Sequence, residues 1–352
     1  MSIYKEFNIQ SPESPDSGDV ITNVKDIVSS GMWANGAGSL TSFFTSSVQS
    51  GSSGAHYLDV FAANPATDGT AKAQFSVAYG HFEGSGSLGT KGVVGNRASA
   101  AIYRQLSQTL LGPNEDKFTF AGTGDHVTPP YIYAISIARQ QLREKMDPGN
   151  WELHLSGSGG PDTTLKLIDD SGATANATVN QGGRVFNIVS GSITAGVANI
   201  KTTAANQPGG AFGLFYPDLG VLIFNGPVLS SQTSASLSAS LNSNEEGGNV
   251  GRFFEKIESA NYFAARREEV ITSQHYFCRV PNKEFNFSSN PSFATSSDGT
   301  FTQSTFFKNP KTFITQVGLY NDDSELLAVA KLSKPLLKSY SREAIIKVKL
   351  DF

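Results

Sequence analysis

The sequence predicts a mainly β protein with a few short helices, an α+β chain assembled from β-sandwich-like modules. Three observations carry that expectation. Charged residues are only 16% of the 352-residue chain, below the ~25% of ordinary soluble domains, and 35 glycines with many Ser, Thr and Asn fill the difference. The aromatic residues are led by 24 phenylalanines, which suit a pleated, half-buried surface. Short apolar alternations recur between turns rich in Gly, Asn and Pro. At 39% hydrophobic residues the chain has the material for a core and is not disordered by composition.

Residues 1–19 are polar, with Pro12, Pro15 and Gly18, and read as an N-terminal arm. Val20, Ile21, Val24, Ile27 and Val28 fall at helical spacing, so a short amphipathic helix is expected over 20–28, with Gly31 as its C-terminal glycine. His56–Phe61 and Gln74–Tyr79 are strands. Phe75, Val77 and Tyr79 share a face, and Asn64-Pro-Ala-Thr-Asp-Gly69 makes the turn between the two strands. Ser99–Leu111 is a helix with Ile102, Leu106 and Leu110 inward, stopped by Gly112-Pro113. Tyr131–Ile137 is a strand. Arg139–Met146 is a short helix or turn, ended by Asp147-Pro-Gly-Asn150, and Trp151–Leu155 alternates as a strand again.

These elements form an N-terminal α+β module over 20–155. Residues 156–250 carry few charges and several short apolar runs, among them 165–168, 184–189 and 212–224, and read as a Gly/Ser/Thr-rich β insert. Residues 251–352 form a C-terminal β docking module. It starts with a helix in the charged stretch after Val250 and a strand at His275–Val280. It closes with strands at Phe313–Tyr320, Leu326–Leu332 and Ala344–Phe352. Asn321-Asp-Asp-Ser324 turns the first of these three into the second. Phe313, Val317, Leu319, Leu327, Val329, Ile346, Val348 and Leu350 are the expected core of this module.

The chemistry is sparse. A net charge of −4 argues against a dedicated nucleic-acid binder. No apolar run approaches the ~20 residues of a membrane span, and the first residues lack the apolar core of a signal peptide. The single cysteine, Cys278, can build neither an intrachain disulfide nor a thiolate metal site. Gly84-Ser-Gly-Ser-Leu-Gly89 spells a dinucleotide fingerprint. The helix that would receive the phosphates does not follow it, so it reads as a hairpin loop. The five histidines show no metal-ligand spacing, although His81 and Glu83 would share a strand face. There is no G-x-S-x-G elbow. The pairs Asp169-Asp170, Glu268-Glu269 and Asp322-Asp323 read as solvated turn residues. No catalytic, cofactor-binding or metal-binding residue is therefore assigned, and no enzyme activity or cofactor is expected.

The C-terminal stretch is basic: Lys331, Lys334, Lys338, Arg342, Lys347 and Lys349 stand against a lone Glu343. Either these cations guard exposed strand edges or they meet an acidic partner. With Phe352 they are the candidate interface residues. The aromatics Tyr276, Phe277, Phe285, Phe287, Phe293, Phe306, Phe307 and Phe313 read as core or subunit interface.

The segment Ile314-Thr-Gln-Val-Gly-Leu-Tyr-Asn-Asp-Asp-Ser-Glu-Leu-Leu-Ala-Val-Ala-Lys-Leu-Ser-Lys-Pro-Leu336 resembles a hairpin of bacteriophage tail-fibre attachment regions and baseplate proteins. Ile345-Ile-Lys-Val-Lys-Leu-Asp-Phe352 looks like the strand that closes that module. Gln74–His81, Asp147–Leu153, Ala265–Glu269 and His275–Phe287 are similar to stretches in virion structural proteins of contractile-tailed cyanophages. The resemblance implies a structural protein of the virion tail, assembled in the host cytoplasm. Its partners would be baseplate, fibre or neck subunits and copies of itself, with neither nucleic acid nor membrane as a partner. It implies no catalytic residues. A neck, collar or capsid-surface protein is the alternative, as is a host-glycan receptor module acting through 156–250.

Overall fold

The computed structural model describes residues 20–46, 57–87, 97–122, 127–157, 164–173, 178–202, 211–232, 248–295 and 298–352. The expected arm at 1–19, the end of the glycine-rich loop and most of 230–249 lie outside them. In chain order the elements begin with β1 (Val20–Gly31), β2 (Ser39–Leu40), β3 (Phe44–Thr45), β4 (Tyr57–Phe61), β5 (Ala73–His81), α1 (Ala98–Leu110), β6 (Tyr131–Ile137) and α2 (Arg139–Leu142). β7 (Lys145–Ser156), β8 (Thr164–Asp169), β9 (Thr178–Asn180), β10 (Gly183–Thr194), β11 (Val197–Thr202), β12 (Gly213–Tyr216) and β13 (Val221–Asn225) follow. The remainder is α3 (Gly226–Gln232), α4 (Gly248–Ala260), β14 (Phe263–Val280), β15 (Thr312–Tyr320), β16 (Leu326–Lys338) and β17 (Ala344–Asp351). The fold is thus mainly β with short helices. It comprises two compact units: Val28–Glu269, and the described residues up to Ile27 together with Val270–Phe352.

The larger unit is one antiparallel sheet with the order β14-β7-β8-β10-β12-β13-β6-β5-β4-β3. Its apolar residues pass from strand to strand in register. Phe75 faces Ile137, Ile135 faces Leu222, Leu222 faces Phe215, and Phe215 faces Phe186. Farther along, Leu167 faces Leu153 and Leu153 faces Phe263. Laid flat at about 4.8 Å per strand, β5 and β14 would be about 34 Å apart. Yet the Phe75 and Phe263 rings meet edge-on at 5.4 Å, with Trp33 against both. The sheet therefore curls until its ends share one core. The segment 39–45 ties the ends: Leu40 pairs with Phe263 on β14, and Phe44 pairs with Phe61 on β4. Helix α4 buries Val250, Phe253 and Ile257 in the concave face, where the Phe253 ring lies 4.9 Å from Tyr133 and 5.5 Å from Phe224.

The opposite face is covered by α1. Tyr103 and Leu110 pack with Ile132, Ala134 and Ile223, so β13 is buried on both sides. A Cβ on Gly80 would sit 3.1 Å from the Tyr103 nitrogen, which is why a glycine stands where the helix crosses β5. The inward face of α1 centres on Tyr103, Ser107 and Leu110, and the expected Ile102 and Leu106 are only half-buried.

Three expectations are corrected. Residues 20–28 form a strand and not a helix. Six of these nine residues are β-branched, which stiffens the side chains against a helix, and most are exposed, so their spacing never faced a core. Asp147-Pro-Gly-Asn150 does not end an element. Trp151 pairs with Ala265 and Met146 with Arg267, so the four residues bulge from a continuous β7, with Gly149 at φ +77°. The segment 156–250 supplies β8, β10, β12 and β13, interior strands that pair onward to β7 and β6. The expected boundaries at 155/156 and 250/251 fall inside the larger unit.

In the smaller unit β17 pairs with the second half of β14, from Ser273 opposite Asp351 to Val280 opposite Ala344. β15 and β16 form a separate two-stranded sheet. The expected common core does not form there. Ile346 and Val348 are buried, but Phe313 is 62% exposed, Leu327 67% and Val329 55%. A two-stranded ribbon has no third layer against which to bury both faces.

Candidate docking surface

The hairpin is anchored at its foot and bare along its shaft. At the foot Thr312 stands opposite Lys338. The Thr312 hydroxyl donates to the Phe285 carbonyl at 2.7 Å, and the Lys338 ammonium donates to the carbonyls of Asn282 and Ser339 and to Asn286 Oδ1 at 3.0–3.1 Å. Lys338 is fully buried, and burial holds its ammonium below the ordinary lysine range. Of the expected interface cations, it is the one already consumed by the fold.

Above the foot the ladder is interrupted. Ile314 pairs with Leu336 and Gln316 with Lys331, so Leu332-Ser-Lys-Pro335 bulges from β16. Pro335 has no N–H to give a ladder and belongs in such a bulge. Beyond it Val317 faces Ala330 and Leu319 faces Ala328, on a half-buried side. On the same strands Leu326, Leu327 and Val329 are exposed. At the tip Asn321 Oδ1 accepts the Glu325 N–H, its Nδ2 donates to Glu325 Oε2, and Ser324 takes φ +64°. Asp322 and Asp323 are exposed in this turn, as expected.

The other candidate cations scatter. Lys331, Lys334 and Arg342 are exposed. Lys347 stands over the Phe277 ring at 5.7 Å. Lys349 lies 3.0 Å from Asp351 and 3.7 Å from Asp26. The hydrogen bond to Asp351 raises Lys349, while the Ser273 hydroxyl, then Lys349, lowers Asp351. Phe352 is exposed, and its N–H donates to the Thr272 carbonyl. Arg279 on β14 pairs with Glu343, the residue before β17. Among the aromatics Phe293 is buried and stacks on Phe306 at 4.9 Å, with Phe287 and Phe301 edge-on to it, while Phe307 is exposed.

The larger unit holds polar groups that the sequence reading missed. Asp169 and Asp170, expected as solvated, are buried. Asp169 accepts the N–H groups of Gly149 and Ser171, and burial raises its carboxyl above the usual range. Asp170 accepts both the backbone N–H and the side-chain amide of Asn187. Glu268 is buried against Lys145 at 3.1 Å and Arg184 at 3.7 Å. Arg184 also forks onto Asp218. Burial alone would raise that carboxylate, and the Arg184 hydrogen bonds bring it below its ordinary range. Glu152 receives the Ile193 N–H and meets His154 Nε2 at 2.5 Å. One signal was available: alternation on β7 puts Glu152 and His154 on the face opposite Trp151, Leu153 and Leu155, a face that α/β or two-layer packing can also bury.

An open groove of about 1000 Å³ lies in the same unit, between 33–42, 62–74 and 140–143. Arg267, at its base, is spent on Ser30, the Gly31 carbonyl and the Gln141 carbonyl. In the glycine-rich loop Ser87 Oγ accepts the Ser99 N–H, so that segment caps the first turn of α1. His81 is buried and stacked with Tyr131, burial lowers its imidazole, and its Nδ1 accepts the Glu83 N–H. Among the described residues no group of three or more His, Cys, Asp or Glu side chains is placed to hold a metal ion, and no helix is long and apolar enough to cross a membrane. Comparison with protein-family models, curated proteins and solved structures gave no match.

Proposed function

We propose that this chain is a structural component of a bacteriophage virion, in the tail baseplate or at the tail-fibre attachment point, and that it acts by docking on neighbouring subunits. One observation carries the assembly reading: a separate two-stranded sheet presents Phe313, Leu326, Leu327 and Val329 outward. A hairpin of this kind is marginal alone in water, and exposed apolar side chains along it mark a surface for a partner. The sequence resemblance to tail-fibre attachment and baseplate hairpins falls on the same residues, and it supplies the virion context.

Mass spectrometry of purified particles, separated into heads and tails, tests the reading. The expected result is the protein in the tail fraction at low copy number. Enrichment in heads would move the assignment to a neck or capsid-surface role. Absence from both fractions would overturn the virion assignment altogether.

A further inference from the structure

We infer that the open edge of β16 is a self-pairing edge, on which a second copy of this chain docks by a two-fold antiparallel ladder centred on Ala328. The inference rests on the reading of the hairpin as the docking element and goes further by naming the occupant. Among the described residues β16 pairs only with β15, so one row of its backbone N–H and C=O groups has no strand partner. Over Leu326-Leu-Ala-Val-Ala330 that edge carries no charge and no proline, and its irregularity is the extra residue Leu327, where Leu319 pairs with Ala328 and Tyr320 with Leu326. Natural edges are normally interrupted by charges or prolines, and a bare apolar edge is a template for another strand.

Charge then selects the partner. The hairpin is acidic at its tip, with Asp322, Asp323 and Glu325, and basic toward its foot, with Lys331 and Lys334. A two-fold axis turns one hairpin end over end against the other, so each acidic tip meets a basic foot. The side-chain matches choose the register. Centring on Ala328 places Leu327 opposite Val329 of the second copy and Glu325 opposite its Lys331. Leu327 and Val329 are among the most exposed aliphatic side chains of the described residues. A shift of the axis by one residue would set Leu327 against Lys331 and lose both the apolar and the charged matches. The ladder ends where the bulge at Leu332–Pro335 begins, which limits the contact to one short stretch and prevents runaway pairing. The same lysines that read as edge guards in isolation are then half of a complementary pair.

Charge-swap variants of the full chain test this by sedimentation velocity at low salt. Wild type is expected to dimerise. Lys331→Glu and Glu325→Lys, each putting like charges across both symmetric positions, should weaken the dimer by about tenfold. The double variant Glu325→Lys/Lys331→Glu restores opposite charges and should recover dimerisation. That recovery also shows that the single variants had not simply failed to fold. A chain that remains monomeric at high concentration would overturn the inference. So would single variants that dimerise like wild type, or a double variant that is no better than either. A monomeric chain still found in tails by mass spectrometry would overturn self-pairing alone and leave the docking role to a different protein.

Discussion

Replacing Lys338 by Met removes the ammonium and keeps the stem. In the structure the ammonium supplies donors to Asn286 Oδ1, to the Ser339 carbonyl and to the Asn282 carbonyl. The last of these keeps a donor in the variant, because Asn286 Nδ2 also reaches it at 2.6 Å. Two buried acceptors are left unsatisfied, at about 1–3 kcal/mol each. Relief of the buried charge offsets part of that, so a net loss of roughly 2 kcal/mol is expected. The loss is local to the hairpin foot, where Thr312 and Lys338 face one another. Hydrogen exchange of the full chain reads it directly: amides of β15 and β16 should lose about thirtyfold in protection while those of β5 and β6 keep theirs. Lys334→Met, on the exposed bulge of the same strand, is the control and should stay within about 0.5 kcal/mol of wild type. Equal protection in the two variants would refute the view that Lys338 clamps the foot.

The curled sheet makes Phe75→Ala a global lesion. The residue is fully buried between Trp33, Phe43 and Phe263, and denaturant unfolding should show a loss of about 3–5 kcal/mol. Asp169 has a folded-state pKa raised by burial, so its contribution to stability is complete at acid pH and is lost as pH rises through that raised value. The melting temperature of Asp169→Asn relative to wild type should therefore climb as pH rises above the ordinary aspartate range, and a flat difference would remove the argument. Gly251 sits in α4 with open space around its Cβ position. Gly251→Ala should stabilise by about 0.5–1 kcal/mol in the same unfolding assay. Gly213→Ala, whose Cβ would strike the Ile223 carbonyl, should instead lose stability.

Much of the fold was legible because periodicity and turn chemistry agreed. Tyr131–Ile137 is bounded as read, and Phe75, Val77 and Tyr79 do share the inner face. The hairpin turn at 321–324 followed from its Asn and Asp residues. The failures have one origin, since spacing along the chain does not say what lies opposite. Val20, Val24 and Ile27 were spaced for a helix but had no core to face, and β-branching decided the outcome. Asp169 and Asp170 looked like turn residues because their partners, Gly149 and Asn187, sit on strands far away in the chain. Lys338 was indistinguishable in sequence from Lys331 and Lys334. Only the loop at 282–286, folded back over the foot, sets it apart.

The seam between Leu40 and Phe263 has a consequence for how the protein is made. A ribosome delivers residue 40 early and residue 263 late, on the order of 10–40 s apart at about 5–20 residues per second. Through that interval β3, β4, β5 and β6 can meander together, but the aromatic interior around Trp33 and Phe75 has no lid. The nascent chain therefore spends its synthesis with an open, sticky trough and becomes a finished body only when β14 arrives. Chains cut short before that strand are expected to be recognised as unfinished and removed.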